Sequence, residues 1–151
     1  MHNPDWEKPM DPEAPLPFSL KDWVDLAPFE RTLGMTIQTS GAGNAVLTMP
    51  FTVKLAQGKG LLHGGALTSL ADTAAAMAIK TLLPEDTHFA TLSLETRFLA
   101  PVTRGTVTAH ARAGRVEEKE RTFEAKVKVT DQEGREVAEF FSVFKVAKNQ
   151  K

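Results

Sequence analysis

Residues 63 to 72 read His63-Gly64-Gly65-Ala66-Leu67-Thr68-Ser69-Leu70-Ala71-Asp72. Two glycines behind a histidine let another molecule approach the backbone closely. They open a run of small apolar residues at helical spacing. The first N–H groups of such a helix have no partner within it and face outward, a setting that suits a developing negative charge. Two turns inside the run stands one carboxylate, Asp72. Its neighbours on a helical wheel are Thr68, Ala75, Ala76 and Ile79, none of them charged. Two readings stay open from the wheel alone. Asp72 is a surface or capping carboxylate on the helix flank, or it is a partly buried acid whose small neighbours clear room for a ligand and tune it for base work.

The helix that carries this acid is expected from Gly64 to about Leu83, stopped by Pro84. Leu67, Leu70, Ala71, Ala74, Met77, Ala78 and Leu82 form its broad apolar face, the expected core contact, and Ser69, Thr73 and Lys80 a narrow polar stripe opposite. Before it lie two expected strands, Met35 to Thr39 and Ala45 to Pro50, joined by the glycine-rich turn Ser40-Gly41-Ala42-Gly43-Asn44, and then a loop containing Gln57-Gly58-Lys59-Gly60. After the helix the chain reads as strand over roughly 88–100, 104–116, 120–131 and 135–147. Val107, Ala109, Ala111 and Ala113 alternate with Thr108, His110 and Arg112. Phe123, Ala125, Val127 and Val129 alternate with Glu124, Lys126 and Lys128. Asp131-Gln132-Glu133-Gly134 is a hairpin turn with Gly134 supplying positive φ.

Residues 1–17 hold five of the nine prolines and are expected to form an extended arm, with Trp6 and Phe18 available to tack it onto a domain spanning 18–151. Ser19-Leu20-Lys21-Asp22 fits a capping box and predicts a short helix, interrupted near Pro28 and finished by Gly34.

Composition narrows the chemistry. At 151 residues and a formal net charge of −1, the chain is a single domain with no field that would recruit nucleic acid or an anionic membrane. Arg97, Arg104, Arg115 and Arg121 are interleaved with acids and read as solvated faces and turns, or as a rim for phosphates. There is no cysteine, which excludes disulfides, thiolate metal sites and a thiol nucleophile. His2, His63, His88 and His110 lack paired ligand spacing, so no metal is expected, and His110 on the polar side of its strand is expected to be exposed. Met1-His2-Asn3-Pro4 begins no secretory signal, and no run of about 18 apolar residues occurs; a cytoplasmic location is the expectation.

With those residues in view, the chain resembles the hotdog-fold acyl-CoA thioesterases of the PaaI type, within the 4-hydroxybenzoyl-CoA thioesterase superfamily. That family's pattern is His-Gly-Gly, six residues, then Asp or Glu on a long central helix, matched here by His63, Gly64, Gly65 and Asp72 and by the ending Leu70-Ala71-Asp72. Strand order and helix placement extend the resemblance over about residues 29–147. It implies an α+β hotdog fold, a long helix wrapped by an antiparallel sheet of about five to six strands. It implies an acyl-CoA thioester hydrolase with Asp72 as nucleophile or general base. The Gly64 N–H and the Gln57 amide would polarise the thioester carbonyl; Gln57 precedes Asp72 by fifteen residues, the family spacing. Thr91 matches a hydroxyl found near the start of the strand after the helix, with an ordinary strand residue as the alternative. Where some relatives have Ser or Thr one turn after the acid, this chain has Ala76, which favours Thr91 for orienting water. His63, Gly65 and Thr68 would lie beside the substrate, with a simple cap or brace as the other reading of His63.

The resemblance implies no cofactor beyond the coenzyme A of the substrate. It also implies a homodimer with shared active sites, and a dimer of dimers beyond that. Phe89, Leu92 and Met77 are expected to shape the acyl pocket. A non-catalytic acyl-CoA-binding sensor on the same fold is the alternative from another class; binding alone does not need the acid. A hotdog dehydratase is a further alternative, but its Asp-x-Asn-Pro-x-His type of signature is missing here.

Overall fold

The computed structural model describes residues 3–148; His2 lies outside them. A short helix α1 (Pro28–Thr32) leads into strands β1 (Thr36–Gly41) and β2 (Asn44–Pro50). The long helix α2 (Gly64–Lys80) follows, then β3 (Phe89–Phe98), β4 (Thr106–Arg115), β5 (Thr122–Thr130) and β6 (Glu136–Val146). The six strands form one sheet in the order β1-β2-β4-β5-β6-β3. Every neighbouring pair is antiparallel. The sheet wraps α2, which is the hotdog arrangement, and no helix is long and apolar enough to cross a membrane.

Alternation explains the wrap. The inward residues of β2, β4 and β5 are Ala45, Leu47, Met49, Val107, Ala109, Ala111, Phe123, Ala125, Val127 and Val129, all buried. Where helix and sheet approach, both surfaces are small: Ala71, Ala74, Ala75 and Ala78 on α2, and Ala109, Ala125 and Ala138 on the strands. Small residues let the two backbones come close, and the larger Leu47, Met49, Phe140 and Phe144 fill the space around them. The expected turns form at both hairpins, with Gly43 at φ 81° and Gly134 at φ 85°. His110 is exposed.

Three sequence expectations are corrected. No helix forms over residues 19–27, and the Ser19–Asp22 capping box is not made. Asp25 organises this segment instead, accepting hydrogen bonds from the Lys21 and Leu26 N–H groups and from the Arg31 guanidinium. Pro28 starts α1 rather than interrupting a longer helix. At the first helical position the missing proline N–H costs nothing, whereas inside a helix it removes a bond and clashes.

Second, most of the polar stripe of α2 is covered, although Ser69 lines a surface groove. Thr73 is buried, and Lys80, two turns on, is gripped by Trp23. The Trp23 indole N–H donates to the Lys80 carbonyl at 2.8 Å, the Lys80 ammonium donates to the Trp23 carbonyl at 3.0 Å, and the ammonium lies 4.8 Å from the ring centre. The segment before α1 thus covers the Lys80 end of that stripe. Third, α2 ends at Lys80, where the Thr81 hydroxyl donates to the Ala78 carbonyl and accepts from the Gly43 N–H; Leu82, placed in the core by the wheel, is exposed.

The first seventeen residues are less extended than expected: Pro4–Glu7 is a 3-10 turn capped by the Asn3 side chain. Trp6 and Phe18 are half-buried, and both line a hollow of about 340 Å³ that reaches Pro28.

Candidate active site

The loop before α2 is folded by its own backbone. The Gln57 N–H donates to the Leu61 carbonyl at 2.8 Å, the Gly60 N–H to the Gln57 carbonyl at 2.9 Å, and the His63 N–H to the Leu55 carbonyl at 2.9 Å. The Gln57 side-chain carbonyl accepts from the Lys59 N–H and, more weakly, from the Leu61 N–H. Its acceptor is thus spent on the turn, which leaves the amide NH₂ as the outward-facing function.

His63 is the N-cap of α2. Its Nδ1 accepts from the Gly65 N–H at 2.8 Å, so Nδ1 is the unprotonated nitrogen and any proton on the neutral ring sits on Nε2. The Ala66 and Leu67 N–H groups both reach the His63 carbonyl. Among the described residues the Gly64 N–H has no partner, the orphan donor that a helix start provides. Both glycines are closely approached by side chains: a Cβ at Gly64 would stand 3.0 Å from the Phe98 ring, and one at Gly65 would stand 2.9 Å from His63 Nδ1, so each side chain would have to shift.

These groups divide between two grooves of about 350 Å³ each. Gln57 and Gly64 line one, with Leu67, Phe98 and Pro101; His63 and Gly65 line the other, with Phe29, Leu33 and Ser69. A hollow of about 600 Å³ lies on the outer face of the sheet, among Arg97, His110, Arg112, Lys126 and Phe141, and is lined by none of Gln57, His63, Gly64, Gly65, Thr68, Asp72 and Thr91.

Asp72 is half-buried, and the Thr91 hydroxyl donates to its Oδ1 at a long 3.4 Å. Burial pushes its pKa above the ordinary Asp value; the Thr91 bond opposes this and the nearby Glu30 carboxylate adds to it. Thr68, one turn earlier, donates to Thr96 at 3.0 Å across the same helix–strand seam. The chain therefore brings Asp72 to Thr91, and Gln57 to Gly64, but holds the two pairs apart. Eight residues separate Gly64 from Asp72, about 12 Å of helix at ~1.5 Å per residue.

Of the expected acyl-pocket residues, Met77 is buried in the core, Phe89 packs on Phe144, and Leu92 is exposed. Arg104 pairs with Glu133 and Arg97 with Glu95, both on the surface. Among the described residues no three His, Asp or Glu side chains gather as a metal site.

Sequence reasoning missed Thr96, Phe98 and Glu30. The β3–β6 register slips between Thr91 and Ser93. Thr91 pairs with the buried Phe144, and beyond the slip Leu94, Thr96 and Phe98 pair with Ser142, Phe140 and Ala138. The bulge reverses the parity, so an odd-numbered residue and then even-numbered ones face α2. No local pattern announces it.

Long helix and wrapping antiparallel sheet together define a hotdog fold, and the family comparison agrees. Residues 59–138 match the family model described as the thioesterase superfamily, and the chain belongs to that superfamily. A 1,4-dihydroxy-2-naphthoyl-CoA hydrolase of Listeria monocytogenes is 34% identical over 104 residues, covering 68% of this chain and 82% of the relative. The PaaI protein from the phenylacetic acid degradation operon of E. coli superposes with a TM-score of 0.73 at 28% identity, over 82% of this chain and 87% of that one. A mutant of the phenylacetic acid degradation protein PaaI of Thermus thermophilus gives 0.71 at 29% identity, over 79% and 98%.

Proposed function

We propose that this hydrolase cleaves acyl-CoA thioesters to the free acid and CoA. The observation that carries the reading is the half-buried Asp72 carboxyl, with raised pKa and a Thr91 hydroxyl on it, on the helix whose mouth leaves the Gly64 N–H unpaired. A thioester carbonyl seated on Gly64 N–H and the Gln57 amide gains stabilisation as its oxygen becomes negative. Asp72 then acts in one of two ways. As nucleophile, its carboxylate oxygen bonds to the carbonyl carbon, the C–S bond breaks, CoA leaves as thiolate, and water hydrolyses the resulting anhydride. As general base, it takes a proton from water, the new hydroxide adds to the carbon, and collapse expels the same thiolate. The reaction needs no cofactor beyond the coenzyme A of the substrate, and Thr91 orients the acid or its water.

The separation of about 12 Å along α2 is too great for one chain's Asp72 and Gly64 to meet on one carbonyl. A homodimer resolves it, with Asp72 and Thr91 of one protomer facing Gln57 and Gly64 of the other. Strand β3 is suited to the seam. It is an open sheet edge, and Leu92, Leu94 and Phe98, together with Leu99 just beyond it, are exposed; such an edge is a ready template for pairing. Sedimentation should give a dimer or an even multiple, and an active monomer would overturn the shared site.

The deciding experiment is thiol release from aryl-CoA and short- to long-chain acyl-CoA thioesters by the native chain and by Asp72→Ala. The chain has no cysteine, so a thiol-reactive dye reports only liberated CoA. The naphthoyl-CoA named for the Listeria relative makes aryl thioesters the first arm. Activity lost in the variant with the dimer intact supports the reading; tight acyl-CoA binding without turnover in either protein would mean a sensor.

A further inference from the structure

Ser142 is completely buried, and its hydroxyl is, among the described residues, the only buried side-chain polar atom with no hydrogen-bond partner. An orphaned hydroxyl in a core is costly, and a serine that served only packing would be better as alanine. Its position suggests what it serves. Ser142 lies on β6 directly opposite Leu94 of β3, between the pairs Thr96–Phe140 and Thr91–Phe144. Helix α2 crosses this stretch: Thr68 reaches Thr96, and Asp72 reaches Thr91. Ser142 thus sits on the helix-facing side of the strand next to β3, in the row between the contacts made by Thr68 and Asp72. The helix residues flanking Asp72 toward the sheet, Ala71 and Ala75, are small and fully buried. The Asp72 carboxylate has one long bond from Thr91 and lone pairs to spare.

We propose that Ser142 is a positioning residue for Asp72: its buried hydroxyl, through one bridging water, gives the carboxylate the second donor that fixes its orientation for reaction. The proposal rests on the assignment of Asp72 as the reacting acid. A buried water shared by two such groups is an ordinary component of protein interiors. The charged groups facing Asp72 are few. Glu30 on α1 is the nearest carboxylate, and Lys80 stands two turns on along α2 and also feels Glu30. The helix-facing residues of β3 and β6 (Thr91, Leu94, Thr96, Phe140, Ser142 and Phe144) are uncharged. A hydroxyl from β6 is therefore well placed to change how Asp72 holds its proton.

The test compares the native protein with Ser142→Ala and Ser142→Thr in two measurements. The first is the pH profile of thiol release between pH 4 and 9, using the best thioester of the panel. The second is titration of the Asp72 carboxyl carbon by ¹³C NMR, assigned by its loss in Asp72→Asn. Removing a donor to the carboxylate should move its pKa further up by ~0.5–1 unit and lower kcat about tenfold with little change in KM, the scale of one ordinary net hydrogen bond. Ser142→Thr keeps the hydroxyl and should restore both. A purely structural Ser142 gives the opposite pattern: Ser142→Ala melts at the same or higher temperature, with the Asp72 titration and the acidic limb unmoved, and that result overturns the proposal. If the native chain releases no thiol, the hydrolase reading fails, while the carboxyl titration still decides whether Ser142 and Asp72 are coupled.

Discussion

The mouth of α2 and its middle are built by different means. At the mouth, geometry is set within one short stretch of chain: the His63 ring caps Gly65, Gln57 folds its own turn, and two glycines sit close against the Phe98 and His63 side chains. In the middle, one carboxylate depends on side chains from elsewhere in the sequence, a single long bond from Thr91 and the charge of Glu30. A backbone donor pays no reorganisation when charge develops. A buried acid, by contrast, is held against its own desolvation, so the middle of the helix carries a cost in stability that the mouth does not.

Breaking the middle should have the largest effect. Asp72→Ala and Asp72→Asn should each lose about 10²–10⁴ in thiol release, read by dye assay with the oligomer checked by sedimentation. The pH dependence follows from the raised pKa. If the carboxylate is the reacting form, activity falls as pH drops through a value above that of ordinary Asp. Stability runs the other way. The folded state holds this proton more tightly than the unfolded chain, so the buried charge is no burden below the ordinary Asp pKa and becomes one as pH rises through the folded value. Asp72→Asn should therefore melt higher than the native protein at pH 7, and the gap should close near pH 3.5. A variant that melts lower at pH 7 would mean that Asp72 is anchored by interactions stronger than its desolvation.

At the mouth, Gln57 sharpens the contrast. Gln57→Glu keeps the oxygen that accepts from Lys59 and Leu61, so the turn and Tm should persist. It removes the amide donor, and losing one such donor costs about 10²–10³ in kcat. A fully active Gln57→Glu would remove Gln57 from the site. Gly64→Ala comes next. The N–H stays, but the new methyl meets the Phe98 ring at 3.0 Å, which calls for a shift of a few tenths of an ångström, so the loss should stay below the ~10² in rate that a misplacement of about 1 Å costs. Adding Phe98→Leu should recover part of the loss, because a smaller side chain can yield. No recovery would point to the helix start itself as what the methyl disturbs.

The same contrast explains what could be read from the sequence. His63-Gly64-Gly65 and the Gln57 loop are local, so their residue types announce a helix entry, and Gly64 and Gln57 do meet on one groove. The strands of β4 and β5 were legible because strict alternation survives along them. What failed was nonlocal. The β3 bulge switches which residues face α2, hiding Thr96 and Phe98 from any count of alternate positions. The Trp23–Lys80 grip covers the end of a polar stripe that the helical wheel sets opposite the core. A capping box upstream makes Pro28 look like a break in a longer helix, yet Asp25 and not Ser19 organises that stretch. Helix, sheet and motif follow from spacing; the company that Asp72 keeps follows from packing.

The smallest expected effect separates the two readings of His63. As an N-cap, its ring is replaceable by any short acceptor. His63→Ala should cost about 1 kcal/mol of stability, and His63→Ser or His63→Asn should return most of it, with thiol release within a few-fold of native in all three. If the exposed Nε2 touches substrate instead, the serine and asparagine variants would keep the native Tm and still lose activity, chiefly in KM. Melting curves and kinetics on these three proteins therefore decide whether the imidazole belongs to the helix or to the chemistry. The bond from the Gly65 N–H to Nδ1 argues for the helix, because it commits to folding the nitrogen nearest the turn and leaves the other one pointing away from it.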